Sequence, residues 1–130
     1  MANAGTSPAR SFTGPEMRRI LRRARLATLS TLSKDDGGPY GSLCNMATDV
    51  RGYPLILISR LALHTQNLLA DGRASVMASE LPASGDALTG QRVTAMGRFE
   101  AVSDDALRRR YLARHPAASF YAGFADFSLW

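Results

Sequence analysis

Three short strand-like segments, separated by tight turns, fill residues 27–59 and restrict the folds open to this chain. They read ATLSTL, YGSLCNMATD and YPLILIS, and the stretches between them, KDDGGP and VRG, hold the glycine, proline and aspartate residues typical of turns. Strands joined by such short connections pair in antiparallel orientation, because a parallel connection needs about a dozen residues or more. The sequence therefore predicts an antiparallel meander.

Two further strands and the opening of a sixth are expected later in the chain. ASVMASE, at residues 74–80, predicts a fourth strand. RVTAMGRFEAV, at residues 92–102, gives the clearest strand pattern, because small or apolar side chains alternate with polar ones over most of its length. DFSLW, at residues 126–130, is typical of the opening of a sixth strand.

Helical patterns separate these strands. Residues 13–27 carry apolar side chains at helical spacing, and Thr13 and Glu16 have the spacing of a capping box. A second helix is predicted to begin with Ser59 as its N-cap, and a third begins after Ser103. Strands with helices inserted between them predict an α+β fold built on a small antiparallel barrel.

Length and composition indicate one globular domain. The chain has 130 residues, of which 45% are hydrophobic and 21% are charged, and these are ordinary values for a folded protein. Residues 1–12, rich in Ala, Ser, Gly and Pro, predict a flexible tail. Residues 13–130 are expected to form the single domain.

Charge and residue content argue against several classes of protein. The net charge of +5 comes almost entirely from arginine, since Lys34 is the only lysine, and a coding bias explains it as well as a binding surface does. We therefore expect neither nucleic acid nor membrane as a partner, although the arginine-rich helix at residues 17–25 keeps phosphate binding open beside the alternative of a solvated face.

Cys44, the single cysteine, excludes an internal disulfide, and the two histidines, His64 and His115, have no neighbouring ligands that would predict a metal site. Without a leader-like or membrane-spanning segment, the protein is expected to be cytoplasmic.

The junction between the third strand and the second helix, ISRLALHTQN, concentrates polar side chains. If Ser59 caps the helix, Arg60, His64 and Asn67 lie on one stripe at positions i, i+4 and i+7. This stripe would begin where free backbone N–H groups and the helix dipole attract anions, so that Arg60 grips phosphate oxygens while His64 and Thr65 donate further hydrogen bonds. The alternative is that Ser59 only caps the helix and that Arg60 and His64 are solvated.

The second strand, at residues 40–49, does not alternate cleanly between apolar and polar side chains. A strand with core on one side and only solvent on the other normally does so. Small and polar residues on both faces are typical of a strand that contacts a ligand or a partner subunit. An irregular edge strand explains the pattern equally well.

Together these segments resemble the pyridoxamine 5′-phosphate oxidase-related family of FMN-binding split-barrel proteins, in the branch associated with haem iron utilisation. The resemblance runs from about Leu26 to Trp130 and rests on the order and spacing of ATLSTLSKDDGGPYGSLCNMATD, PLILISRLALHTQNLLADGRASV, RVTAMGRFEAV and RRRYLARHPAASFYAGFADFSLW. It implies a six-stranded antiparallel split β-barrel with flanking helices that forms a homodimer and binds FMN in the groove between the subunits. The last strands would be incomplete, since such relatives usually extend further.

The resemblance also implies which residues contact the cofactor. Residues 42–45 of the second strand would flank the flavin ring, and Arg92 of the fifth strand would present a polar side chain to it. The junction would hold the phosphate and the ribityl chain. The implied cofactor-binding residues are Ser42, Leu43, Cys44, Asn45, Ser59, Arg60, His64, Thr65, Asn67 and Arg92.

Departures from the family's pattern argue against the activity of the oxidases proper. Oxidases proper carry an arginine on the second strand and a lysine early in the helix, where this chain has Ser42 and His64. The chain also ends before the segment with which those enzymes bind their phosphorylated substrate. Oxidation of pyridoxamine phosphate is therefore not expected.

Two functions remain open from the sequence. The first is an FMN-dependent oxidoreductase with an unknown substrate and no assigned catalytic residue, and the second is a protein that carries FMN or haem without turnover. Haem would need an apolar slot, which the aromatic-rich C-terminal region would provide unless it covers the barrel or forms the dimer interface. The aromatic residues of that region are Tyr111, Phe120, Tyr121, Phe124, Phe127 and Trp130.

Overall fold

The computed structural model describes residues 14–130, and the tail predicted for residues 1–12, together with Thr13, lies outside them. Three α-helices are inserted among the strands of the described chain, as predicted. In chain order the elements are α1 (Gly14–Arg23), β1 (Leu26–Leu32), β2 (Pro39–Asn45), β3 (Ala47–Thr48), β4 (Pro54–Leu55), β5 (Leu57–Ser59), α2 (Leu63–Ala70), β6 (Arg73–Ser79), β7 (Arg92–Arg98), α3 (Asp105–Arg114) and β8 (Phe127–Leu129), with 3₁₀ turns at Ala87–Thr89 and Pro116–Phe120.

The main sheet has four strands in the order β2-β1-β6-β7, and all neighbouring strands are antiparallel. The hairpin of β1 and β2 closes through a hydrogen bond of 2.7 Å from the Ser33 backbone N–H to the Gly38 carbonyl. Gly37 has a φ of 75° in this turn, a conformation that glycine adopts without a steric penalty. The KDDGGP stretch therefore forms the predicted turn.

The second and third predicted strands each break into two segments. β2 and β3 are separated at Met46, whose backbone N–H donates to the Arg25 carbonyl at 2.9 Å. β4 and β5 are separated at Ile56, which exchanges two backbone hydrogen bonds of 3.0 and 2.8 Å with Trp130. Each break lets one long strand pair with two partners, since β3 pairs with β4 and β5 pairs with β8. The predicted strands are thus present as shorter segments.

The barrel formed by these sheets is split rather than closed. An open cleft of about 660 Å³ lies between β7 and the segment around β4, and residues 53–55 and 95–100 line its two sides. Trp130 also lines it. This architecture confirms the predicted α+β split barrel with flanking helices.

Two hydrophobic clusters lie on opposite sides of β4 and β5. Ile56 and Ile58 belong to the cluster inside the barrel, whereas Leu55 and Leu57 belong to a second cluster with Tyr111 of α3. Successive residues of a strand point to opposite faces, so this run is buried on both sides. The sequence PLILI is continuously apolar because both faces of this strand run are buried.

Two predicted helix starts are wrong by one to three residues. α2 begins at Leu63 with Ala62 as its N-cap, because Ser59 still belongs to β5, where it pairs with Phe127. α3 has Asp104 as its N-cap instead of Ser103, and the Asp104 carboxylate accepts a hydrogen bond of 3.0 Å from the Leu107 backbone N–H. Within residues 14–130, no helix is both long and apolar enough to span a bilayer.

Candidate functional site

The pairing register separates the four candidate residues of β2 into two faces. Ser42 lies opposite Leu29, which is fully buried in the barrel, and Cys44 lies opposite Ala27. Leu43 and Asn45 lie on the other face and are exposed. Residues that are directly opposite in an antiparallel pair point to the same side of the sheet. Ser42 and Cys44 therefore face the interior, and Leu43 and Asn45 face outward.

The outward face of the main sheet, here called the outer sheet face, lacks a covering element within the described chain. Leu43 is 71% exposed on β2 and Met96 is 86% exposed on β7. The pairing register places the outward residues in two rows, Leu43–Thr28–Met77–Thr94 and Gly41–Ser30–Ser75–Met96. This face is therefore uncharged along these rows and combines small polar residues with exposed apolar ones.

Two candidate residues have buried hydroxyl groups with no hydrogen-bond partner in residues 14–130. They are Ser42 Oγ on β2 and Thr65 Oγ1 on α2. Thr65 is completely buried, and its helix packs against β1 and β2. An unpaired buried hydroxyl costs about 1–3 kcal/mol, so such groups are uncommon in folded proteins. Both therefore require a functional or structural explanation.

The junction before α2 is a tight turn that is hydrogen-bonded to Asp126 in the C-terminal region. The Ser59 hydroxyl donates to Asp126 Oδ2 at 2.6 Å and accepts from the Leu61 backbone N–H at 3.1 Å. The Arg60 backbone N–H donates to the Asp126 carbonyl at 2.8 Å. Asp126 thus fixes the backbone on both sides of Arg60. Sequence reasoning missed Asp126, because no local pattern relates it to a residue 67 positions earlier.

The start of α2 presents donors without a capping side chain. Ala62 occupies the N-cap position, and no side chain caps the helix there. The first backbone N–H groups of any α-helix, here those of Leu63 and His64, have no acceptor within the helix. Arg60 is exposed beside them, and none of the salt bridges among the described residues involves it. The guanidinium of Arg60 and free backbone donors therefore meet at this junction, together with the carboxylate of Asp126.

Burial lowers the pKa of His64 below its usual value, because the imidazolium form loses solvation. The lowered pKa favours the neutral imidazole of His64. Arg60 carries the permanent positive charge of the junction.

Asn67 does not belong to the polar stripe that its sequence position predicted. It is fully buried; its Oδ1 accepts from the Lys34 backbone N–H at 2.9 Å and its Nδ2 donates to Thr31 Oγ1 at 3.1 Å. Arg60 precedes the helix, so the expected i, i+4, i+7 stripe is wrong. Asn67 instead fastens α2 to the end of β1.

Cys44 carries a half-buried thiol. Its Sγ contacts the Ala27 carbonyl at 3.7 Å, and burial raises its pKa to about 11. The thiol is therefore protonated at neutral pH and a weak nucleophile.

Arg92 lies at the far edge of the main sheet from β2. Its Nη1 donates to the Leu88 carbonyl at 2.8 Å. Three strand spacings separate β7 from β2 in the sheet order, which corresponds to about 14 Å. One chain therefore does not bring Arg92 and residues 42–45 together around one small ring.

The C-terminal aromatic residues mostly pack within the protein. Tyr111 and Trp130 are buried, and Tyr121 and Phe127 pack against the second hydrophobic cluster with ring centroids 4.8 Å apart. Only Phe120 and Phe124 are exposed among the aromatic residues of this region. Most of the region therefore covers the barrel, and Trp130 also lines the open cleft.

The topology defines an α+β protein with a split antiparallel barrel. The family model for pyridoxamine 5′-phosphate oxidase matches residues 13–129. The chain belongs to that family.

Several relatives of this chain are named for haem. It is 39% identical over 117 residues to the chloroplastic non-canonical heme oxygenase HOZ of Arabidopsis thaliana, an alignment that covers 87% of this chain and 35% of that protein. A heme-binding protein from Mycobacterium smegmatis has a similar structure, with a TM-score of 0.84 and 32% identity over 95% of this chain and 51% of that one. The heme storage protein HutZ from Vibrio cholerae shares the fold, with a TM-score of 0.66 and 22% identity over 88% of this chain and 84% of that one.

The chain is shorter than two of these relatives. It spans about a third of the Arabidopsis protein and about half of the mycobacterial one.

Proposed function

We propose that this protein binds FMN and acts as an FMN-dependent oxidoreductase in haem-related metabolism. The observation that carries the proposal is the junction before α2, where an exposed arginine lies beside the uncapped start of a helix. Such a junction suits a phosphate group, because backbone N–H donors and a guanidinium both point to an anion. Membership of the family supports the choice of a flavin phosphate.

The residues of the chain are compatible with such a ligand. Arg60 and the N–H groups of Leu63 and His64 would hold the phosphate, with Ser59 keeping the backbone in position through Asp126. The unpaired hydroxyl of Thr65, in the first turn of α2, would gain a partner from the ligand, whereas Ser42 Oγ faces the barrel interior and is not among the proposed contacts. Asn67 is left out of the proposed contacts, since its amide is used within the fold.

FMN, when bound, supplies hydride and electron transfer at its isoalloxazine ring. The chain would orient the ring through the backbone and outward side chains of residues 42–45. Cys44 would contribute packing rather than nucleophilic chemistry, because its thiol is protonated. We propose only the class of the substrate and of the electron donor: both would be small molecules that exchange electrons or hydride with a flavin.

A homodimer follows from the same proposal. Arg92 is too far from residues 42–45 within one chain, so its contact with a flavin ring would come from a second subunit. The outer sheet face provides an uncovered surface on which the second subunit would pack, with Leu43 and Met96 as apolar contacts.

The proposal is tested with a visible spectrum of the purified protein before and after addition of FMN, followed by gel filtration. Flavin absorption that co-elutes with protein is expected. Arg60→Ala should weaken FMN binding about 10- to 100-fold, as expected for the loss of about 1.5–3 kcal/mol from a charged hydrogen bond. Arg109→Ala, which removes an exposed arginine from α3, is the matched control and should bind FMN normally. A protein that fails to retain FMN at any concentration would contradict the proposal.

Catalysis is tested separately on the FMN-loaded protein. Bleaching of the flavin absorption by NADH or NADPH under anaerobic conditions, and its return with an added acceptor, is the expected result. If no donor reduced the bound flavin, the proposed oxidoreductase activity would be contradicted, and the protein would be a carrier of flavin.

Haem is the second candidate ligand, favoured by the names of the Arabidopsis and mycobacterial relatives. The cleft of about 660 Å³ has apolar walls, including Phe99 and Trp130, and a rim with Arg18, Arg51 and Arg98. Neither histidine lines it. A haem titration followed at the Soret band tests this candidate, and the absence of a saturable shift would eliminate it.

A further inference from the structure

A second cluster of arginines lies far along the chain from the junction, where the C-terminal ends of α1 and α3 meet. It surrounds a pocket of about 350 Å³, here called the arginine pocket. The lining residues are Arg22, Ala47, Thr48, Arg110, Ala113 and Arg114. No acidic residue is among them, and none of them belongs to the junction before α2.

Backbone carbonyls orient each of the three guanidinium groups. Arg22 Nη2 donates to the Val50 carbonyl at 3.0 Å, and Arg110 Nε donates to the Thr48 carbonyl at 2.6 Å. Arg114 Nη2 donates to the Arg23 carbonyl, the last of α1, at 2.6 Å. Each contact uses one of the five N–H donors of an arginine, so most donors are available for a ligand. The restricted side chains would lose little further entropy on binding.

The charge of the arginine pocket is not neutralised by acidic side chains in the described chain. The salt bridges between described residues involve Arg23, Arg51 and Arg73, and none of these three arginines lines the pocket. Three like charges around one small pocket repel one another, and a bound anion would relieve that repulsion. The helix dipoles of α1 and α3 compensate only a part, about half an elementary charge at each C-terminal end.

Capping of helix ends explains only some of these contacts. It accounts for Arg114, which bonds to the end of α1. It does not account for Arg22 and Arg110, whose acceptors lie in and after β3. It also leaves Arg114 Nε unexplained, because that N–H is buried and has no hydrogen-bond partner in residues 14–130. Helix capping therefore leaves most of the donors of the three guanidinium groups without a structural role.

We propose that the arginine pocket binds the phosphate group of a small phosphorylated metabolite. Paired N–H groups of guanidinium match the spacing of phosphate oxygens, and three such groups around a pocket of this size suit a phosphate monoester. The small side chains of Ala47 and Ala113 leave room beside the charges for the organic part of the ligand. This site is distinct from the proposed FMN site and does not depend on it.

Inorganic phosphate is the probe for the first test. The whole protein is titrated with phosphate at constant ionic strength, balanced with sodium chloride, and binding is followed through the backbone amide NMR signals of Thr48 and Ala113. Arg22→Gln and Arg110→Gln alter exposed residues and should each weaken binding at least 10-fold. Arg19→Gln and Arg109→Gln remove exposed arginines of the same helices that do not line the pocket, and should change the affinity less than twofold.

The proposal is overturned if the Thr48 and Ala113 signals show no saturable shift. It is also overturned if all four variants respond as the unaltered protein does, since phosphate would then act only through general charge screening. An Arg60→Ala variant should retain the phosphate response at Thr48, which separates this site from the proposed FMN phosphate site. If the unaltered protein bound no FMN but showed this phosphate response, the arginine pocket would be supported and the flavin proposal contradicted.

Discussion

The strand run β4–β5 and the outer sheet face both carry large apolar side chains, but in opposite surroundings. Residues 55–58 are buried on both sides, between the barrel interior and the cover formed by α3 and the 3₁₀ turn after it. Leu43 and Met96, on the main sheet, are exposed to solvent on the outer side. Apolar residues in the first region stabilise the single chain, whereas those in the second are available for another molecule.

The buried run β4–β5 should therefore contribute mainly to the stability of the single chain, and the outer sheet face mainly to the binding of another molecule. Ile56 packs tightly inside the barrel, so any loss of its volume would leave a cavity in that cluster. A change on the outer sheet face would leave the packing of one chain intact. Mutations in the two regions should therefore separate folding from association.

Ile56→Ala should have the largest effect on folding. Ile56 is completely buried, so the change leaves a cavity in the barrel and should lower the free energy of unfolding by about 2–5 kcal/mol. Urea denaturation followed by circular dichroism measures the loss. Leu69→Ala, at an exposed position of α2, is the control and should stay within about 0.5 kcal/mol. Equal losses in both variants would break the distinction between the covered and uncovered regions.

Asn67→Ala should have the next largest effect. The change leaves the Lys34 N–H and the Thr31 hydroxyl without their partner, at a cost of about 1–3 kcal/mol in the free energy of unfolding. Thermal and urea denaturation measure it. If stability is unchanged while FMN binding is lost, Asn67 contacts the cofactor after all, and the structural role given to it here is wrong.

Leu43→Asp and Met96→Asp should change association rather than folding. Each places a charge on the outer sheet face without touching the core, so the stability of the single chain should change by no more than about 0.5 kcal/mol. Sedimentation velocity should show a shift from dimer to monomer. Leu81→Asp, which alters an exposed leucine outside the main sheet, should leave the dimer intact. A protein that is already monomeric before any change would contradict the proposed dimer.

The smallest expected effect is on the pH dependence of stability. The pKa of His64 is lowered in the folded protein, so between the unfolded and folded pKa values the unfolded chain binds more protons than the folded one. Stability should therefore fall as the pH is lowered below about 6.5, the usual pKa of histidine. His64→Gln should remove this part of the slope between pH 7.5 and pH 5.5 in urea titrations. An identical slope in the variant would show that His64 does not titrate as inferred.

Local sequence patterns predicted most of the secondary structure. The turn at Gly37, the alternation of β7 and the apolar run before Ser59 depend on neighbours a few residues apart, and the structure confirms the elements that these patterns predicted. The two misplaced helix starts have a common cause. Serine is a good N-cap wherever it stands, and the sequence does not show that Ser59 is already paired in β5 or that Asp104 follows Ser103 with a competing carboxylate.

The candidate site shows what periodicity cannot supply. Local spacing singles out Ser59 and Arg60 as candidate site residues, but the side chain and backbone of Asp126 decide their geometry. Asn67 has the spacing of a surface stripe, yet the docking of α2 against β1 turns it toward Thr31.

The sequence by itself determined the order of strands and helices, the family and the apolar content of each strand, because these properties depend on local spacing and composition. The tertiary structure decided which apolar face is covered, which hydroxyls lack partners and which arginines converge. Arg22 and Arg110 are 88 positions apart and meet only because α1 and α3 end at the same place. Contacts of this kind arise from the path of the whole chain, which no short segment specifies.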